Sequence, residues 1–266
     1  MTEADVLPPA RGTRASRDVW ALVAAGLVLL AVQLFGPPPA QGPAMALIAV
    51  IALIALYVGP RRYLATADRT PWRHLQIASY LFMAASVLRV AVPSTMATPP
   101  TSMALIPNVL VVPAYFFIGY SFVGMLRRRR AAEDDPARID AVLVGLAAAF
   151  LTWTFIVAPA VVDANMNPIR VIDAFFPIID VVLLVLVSQL MLAGGVRQPS
   201  LWLMVVAALA MFAGDLLFVL RNAELVAFPQ QHLDALFALI FVMLPASALH
   251  PSMRTLTEPR TSRSSR

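Results

Sequence analysis

Cysteine is absent from the 266 residues, and so is lysine: all 20 basic residues are arginine. Without a thiol the chain can form no disulfide, thiolate zinc site, iron–sulfur cluster or cysteine nucleophile. Histidine is scarce, and His74, His232 and His250 show no HExxH or paired-ligand spacing. No metal and no cofactor is therefore expected. Charge is the other deficit. Charged residues make up 13% of the chain and hydrophobic residues 60%, whereas soluble domains carry roughly a quarter charged residues. With a mean hydropathy of +0.78, the expected solvent is lipid, and the apolar segments leave no room for a soluble enzyme. The pI near 10.4 would suit nucleic acid, but the arginines stand in short loops between apolar runs, where topology signals belong, so no nucleic-acid binding is expected. The exclusive use of arginine, with abundant Ala, Val, Leu and Pro, reads as the codon bias of a GC-rich bacterium.

What is present is a series of apolar windows. They run over about 19–35, 44–58, 75–92, 103–126, 140–159, 173–193, 201–220 and 232–249. Gly36-Pro37-Pro38-Pro39, Pro99-Pro100, Gly194-Gly195 and Pro199-Ser200 punctuate them, as residues that end or start helices. The expected fold is all-α, a polytopic membrane helix bundle of eight transmembrane helices with both termini cytoplasmic. Residues 1–17 are expected to be a cytoplasmic disordered tail, 18–250 the transmembrane domain and 251–266 a cytoplasmic exit or linker. The tail's Arg11, Arg14 and Arg17 resemble a signal peptide's basic region, but no clear small-x-small cleavage site follows, so the first helix is retained. The second window is short enough to allow a re-entrant segment or a thinned bilayer instead. Placing the N-terminus inside puts Arg61, Arg62, Arg69, Arg73, Arg127 to Arg130, Arg138, Arg197 and the tail arginines on the cytoplasmic side. Only Arg170 and Arg221 then fall outside, as the positive-inside rule requires.

Ionisable residues within a span cost about 2.5 kcal/mol or more at its centre and normally face the bundle interior with a partner. Arg89, Asp180 and Asp215 are the three that stand out. Helix rise places Arg89 and Asp215 roughly 21 Å from the inner ends of their helices, and Asp180 about 10 Å below the outer end of its own. All three thus reach one level in the outer half of a hydrocarbon core about 30 Å thick. The expectation is a charge-paired cluster at the base of an outward-facing cavity, with Asp173, Arg221 and Asp234 above it and Trp153 walling it. An arginine between two carboxylates leaves one negative charge, which suits a cation or a proton. The alternative is structural: Arg89 pairs one Asp to hold helices together while the other is wetted from outside. No catalytic constellation is present, neither paired Asp with a Gly signature nor Ser with His. The run Arg127 to Arg130, followed by Glu133-Asp134-Asp135, reads as a stop signal in a solvated loop, with contact to anionic lipid as the alternative. Pro107, Pro113, Pro177 and Pro245 are expected to kink their spans. Trp20, Tyr57, Tyr63, Trp72, Tyr120 and Trp202 read as an interfacial aromatic belt.

Several short motifs accompany this pattern. Ile139-Asp140-Ala141-Val142 follows the Arg-rich loop, Trp153 and Pro159 keep a W-x5-P spacing, and Phe176-Pro177-Ile178-Ile179-Asp180-Val181 stands where a YPxxD is usual. Ala213-Gly214-Asp215 and the segment from Ala248 to Arg254, continuing through Leu256-Thr257-Glu258-Pro259, complete the set. Over about residues 127–259 the chain resembles the membrane-embedded sensory region of actinobacterial GGDEF and GGDEF–EAL proteins, which make or degrade cyclic di-GMP. It departs in the third helix, where Pro93-Ser94-Thr95-Met96-Ala97 lacks the family's acidic residue and Arg89 is unexpected. The resemblance implies a multi-pass protein of the bacterial plasma membrane that relays a cue to a cytoplasmic GGDEF or EAL output domain, in cis or in trans, with His250, Pro251 and Arg254 at the signal exit. Such output domains normally follow the HPSM motif, whereas this chain stops at Arg266, so a fragment, a truncated product and a free-standing sensor all stay open. Besides the bilayer and that output domain, a homodimer is the partner considered. A small transporter using Arg89, Asp180 and Asp215 is the second functional reading, and a membrane enzyme acting on lipid the third.

Overall fold

A computed structural model describes residues 12–95, 106–129, 135–154, 158–159, 168–194, 198–222 and 225–256. Among these residues there is no strand. Among the described residues eight α-helices of 18 to 27 residues follow one another: α1 (Gly12–Phe35), α2 (Pro38–Tyr63), α3 (Thr70–Thr95), α4 (Ile106–Arg129), α5 (Asp135–Thr152), α6 (Pro168–Gly194), α7 (Pro199–Asn222) and α8 (Gln230–Leu249). Short 3-10 helices occupy Thr66–Arg69 and Pro251–Leu256. Five of the eight, α1, α2, α4, α7 and α8, are long and apolar enough to cross a membrane, and α6 carries a shorter apolar stretch, Phe175–Met191. The protein is a helical membrane protein.

Local chemistry sets the ends of these helices. Gly36 and Pro37 reverse the chain between α1 and α2, with Gly36 N–H bonded to the Val32 carbonyl at 2.8 Å. Pro38 and Pro39 open α2, where a missing N–H costs nothing because the first turn has no acceptor for it. The helix consequently begins well before the apolar window at Ala44 and spans 26 residues, about 39 Å at 1.5 Å per residue. That length removes the reason for a re-entrant second segment.

Side-chain contacts gather one set of helix ends into an arginine-rich layer. Arg128, at the end of α4, forms an ion pair with Asp68 at 2.6 Å and also donates to the Ala67 carbonyl at 2.8 Å. Arg129 reaches the Leu190 carbonyl at 3.2 Å and Gln198 at 3.0 Å, between α6 and α7. The Arg254 guanidinium lies 5.5 Å from the Tyr63 ring centre, joining the segment after α8 to the end of α2. The run of arginines at the end of α4 is therefore not uniformly solvated: Arg127 is exposed, Arg128 half-buried and Arg129 buried, while Arg130 and the acidic residues Glu133 and Asp134 lie outside the described residues. On the opposite face Arg221 donates to Gln230, which donates in turn to Asp234 at 2.8 Å.

Small residues let the helices meet closely, as in membrane bundles where lipid gives no hydrophobic drive for association. A Cβ on Gly59 would fall 2.2 Å from the Ala248 carbonyl oxygen, and one on Gly145 would fall 2.4 Å from a Val185 methyl. Of the proposed belt aromatics, Trp20, Tyr57, Tyr120 and Trp202 are exposed on the bundle, but Trp72 is fully buried and Tyr63 nearly so. Those two belong to the core.

Candidate functional site

Four helices carry the polar interior. α3 packs on α4, α4 on α6, and α6 on α7. Asp180 stands on α6 one turn after Pro177, and Asp215 on α7 directly after Gly214, where a Cβ would meet Phe237 at 3.0 Å and hold α7 off α8. The two aspartates are 1% and 8% exposed.

Between them stands Tyr115 of α4, a residue the sequence analysis did not select. Its hydroxyl donates a hydrogen bond to Asp215 Oδ2. Aromatic rings fix its orientation: Phe176 stacks on it at 5.3 Å and 14°, and Phe82 meets it edge-on at 5.5 Å. A tyrosine in mid-span rather than at the interface is the signal that would have found it, because a buried phenol needs a polar partner. Asp180 is placed differently. Its two oxygens have no hydrogen bond of regular geometry, although Tyr115 and Asp215 are close enough to interact with it.

Arg89 does not join the carboxylates. Its guanidinium is exposed on the bundle, donates to Asn108 Oδ1 at 3.1 Å and lies 5.7 Å from the Phe218 ring centre. Among the described residues no ion pair links it to Asp180 or Asp215. Trp153, too, sits elsewhere: it follows the end of α5, is 44% exposed and has its ring 6.2 Å from that of Phe175. Arg221 and Asp234 make their own exposed contact with Gln230. Asp173 belongs to α6, but its side chain lies outside the described residues.

A small hollow of about 30 Å3 touches Asp180, which is the polar residue of its lining. Leu75, Phe122, Met204 and Leu244 line it, and each lies in the part of its helix nearest the arginine-rich layer. The hollow is thus on the opposite side of Asp180 from the expected outward-facing cavity. The rings of Phe82, Tyr115 and Phe176 pack together beside the pair, whereas Ala207 and Ala208 of α7 line the hollow.

The second candidate region is the end of α8. His250 breaks the helix with an extended conformation, φ −74° and ψ 133°. Pro251–Leu256 then does not leave the bundle but turns beneath it, burying Met253 and Leu256 completely. Serines fasten it: Ser200 N–H donates to Ser252 Oγ at 3.1 Å, and Ser200 Oγ donates to the Ser247 carbonyl at 2.7 Å. His250 Nδ1 accepts from the Ser252 N–H at 3.1 Å, so the ring is neutral and does not complement the helix dipole as a cation. Thr257, Glu258 and Pro259 lie outside the described residues.

Burial lowers the His250 pKa from its ordinary value. The unfolded chain therefore takes up this proton first, near pH 6.5. The contribution of the neutral ring is complete above that pH and is lost as the pH falls through the lower folded value. Thermal unfolding of the detergent-solubilised protein should accordingly show a falling midpoint below about pH 6.5, and His250→Asn, which keeps a neutral acceptor, should flatten that fall. Equal pH slopes in the two proteins would refute the assignment.

No protein-family model, curated protein or solved structure matches the chain. Its functional reading rests on the geometry of these two regions and on the motifs within them.

Proposed function

We propose that the chain is the membrane sensory region of a bacterial cyclic di-GMP signalling protein, with eight spans, both termini in the cytoplasm and an output domain in cis or in trans. The observation that carries this reading is the docking of Pro251–Leu256. A segment held by Ser252, Met253, Leu256 and Arg254 against the ends of α7, α8 and α2 feels any relative shift of those helices. Whatever follows or binds it is then coupled to the bundle. The motif residues cited for the family resemblance fall in the two places such a device needs, Asp180 and Asp215 in the interior and His250 to Arg254 at the exit. The chain itself performs no catalysis on this reading, and the plasma membrane is its location.

A small transporter is the second reading, favoured by a buried carboxylate at a hollow between the helices. Deleting the gene in the native organism and restoring it as wild type or as Asp180→Asn separates the two. Signalling predicts at least a twofold change in cellular cyclic di-GMP on deletion that wild type reverses and Asp180→Asn does not. An unchanged level, or pH-driven uptake by vesicles that Asp180→Asn abolishes, would overturn the signalling reading. In the same strains, reporter fusions after Arg17, Arg130 and Arg266 should all report the cytoplasm.

A further inference from the structure

We infer that Asp180 and Asp215 form a proton-binding pair, supplied through the hollow from the arginine-rich side. The inference deepens the sensory reading, in that proton occupancy of this pair is the state the bundle registers. It starts from what the side chains offer one another. An ionised carboxylate can only accept hydrogen bonds. Asp180 faces Asp215 and Tyr115, and Tyr115 has a single hydroxyl proton, already given to Asp215 Oδ2. Two acceptors thus face each other in the bundle interior, and neither oxygen of Asp180 accepts a hydrogen bond of regular geometry. One further proton, placed on Asp180 and directed at Asp215, turns that opposition into a hydrogen bond. Like-charged carboxylates sharing a buried site reach the same solution generally.

The described surroundings are otherwise apolar on the side of the hollow. Among the described residues, the charged or titratable groups facing the pair are Tyr115 from α4 and, further off, Arg89 from α3, whose hydrogen bond goes to Asn108. α8 presents Ile240 and Leu244 to Asp180, and the nearby part of α6 presents Leu183. The hollow is also the wrong site for a magnesium or calcium ion, which needs about six oxygen ligands, because Asp180 is the polar residue of its lining. Its 30 Å3 exceeds the roughly 10–15 Å3 one water needs, so it can hold a water beside Asp180. The balance is simple: a hydronium ion in the hollow gives one proton to an Asp180 oxygen and remains as water, and the pair's charge changes from two negative to one.

Infrared difference spectroscopy of the full chain in lipid nanodiscs, titrated with acid in H2O and in D2O, tests this. Wild type should show a carboxylic-acid carbonyl band that grows on acidification and shifts in D2O. Asp180→Asn should lose it, Asp180→Glu should keep it at a shifted frequency, and Tyr115→Phe should move its titration midpoint. Retention in the glutamate variant shows that loss in the asparagine variant is not a failure to fold. A band that persists in both Asp180→Asn and Asp215→Asn, the absence of any such band in wild type, or a carboxylate response to sodium alone would each overturn the inference. The band and the cellular cyclic di-GMP level are independent: a titrating band with an unchanged messenger level removes the signalling reading and leaves the proton pair.

Discussion

Replacing Gly59 with valine is expected to abolish recovery of folded, monodisperse protein, and Gly59→Ala to lower stability by about 1–3 kcal/mol, the usual range for overpacking. The reason is the crossing of α2 and α8. Ala52, Ala55 and Gly59 form a small-residue seam on α2, and Ala246 and Ala248 are fully buried on α8. A Cβ at position 59 would stand 2.2 Å from the Ala248 carbonyl oxygen and 2.7 Å from its carbon. Those atoms are main chain next to the break at His250, so no side-chain rotation relieves the clash. The helices must part, and the contacts of Pro251–Leu256 part with them. Gly42, in the same helix, is the control: nothing lies within 4 Å of a Cβ there. Gly42→Ala should be neutral or stabilising by roughly 0.5–1 kcal/mol, through helix propensity alone. Intrinsic-fluorescence melting of the purified protein, together with its elution profile, measures both. Indistinguishable melting of Gly59→Ala and Gly42→Ala would show that α2 and α8 are not in backbone contact at this point.

The contrast between Gly59 and Gly42 marks the boundary of what was legible. Alternating apolar windows and arginine clusters are one-dimensional signals, so the all-helical membrane character could be read directly. Helix rise also sufficed to bring Asp180 and Asp215 to one level, since depth along a helix follows from counting residues. Rotation about the helix axis does not follow from depth. Arg89 shares that level but turns toward Asn108 and Phe218, while Tyr115, seven residues after Asn108 on the same helix, is the group that reaches Asp215. Trp72 and Tyr63 resemble interfacial aromatics in sequence, yet both are buried in the bundle, and Arg254 of the returning segment lies over the Tyr63 ring. The end of the last apolar window near Leu249 was legible; the return of Pro251–Leu256 beneath the bundle was not, because it depends on Ser200 from another part of the chain.

The arginine run at the end of α4 carries the second large effect. Four identical residues read as one signal in a sequence, but each step along a helix turns by about 100°, so identical side chains meet different surroundings. Arg127 points outward, whereas Arg129 is 4% exposed and binds the Leu190 carbonyl and the Gln198 side chain. Leu190 lies in the closing turns of α6, where the helix dipole favours a cation. Hydrogen bonds to a charged group contribute about 1.5–3 kcal/mol each, so Arg129→Ala should cost about 3 kcal/mol or more once the emptied volume is included. Arg129→Lys, which keeps the charge but lacks the planar fork that serves two acceptors at once, should recover part of that loss. Arg127→Ala should stay within about 0.5 kcal/mol, as exposed substitutions do. All three change an arginine at the same helix end, so a topology signal based on summed charge predicts similar behaviour for Arg127→Ala and Arg129→Ala. Chemical denaturation in mixed micelles decides between the two accounts: a large gap between those variants assigns Arg129 to the packing of α4 against α6 and α7, and equal stabilities would return it to the solvated loop.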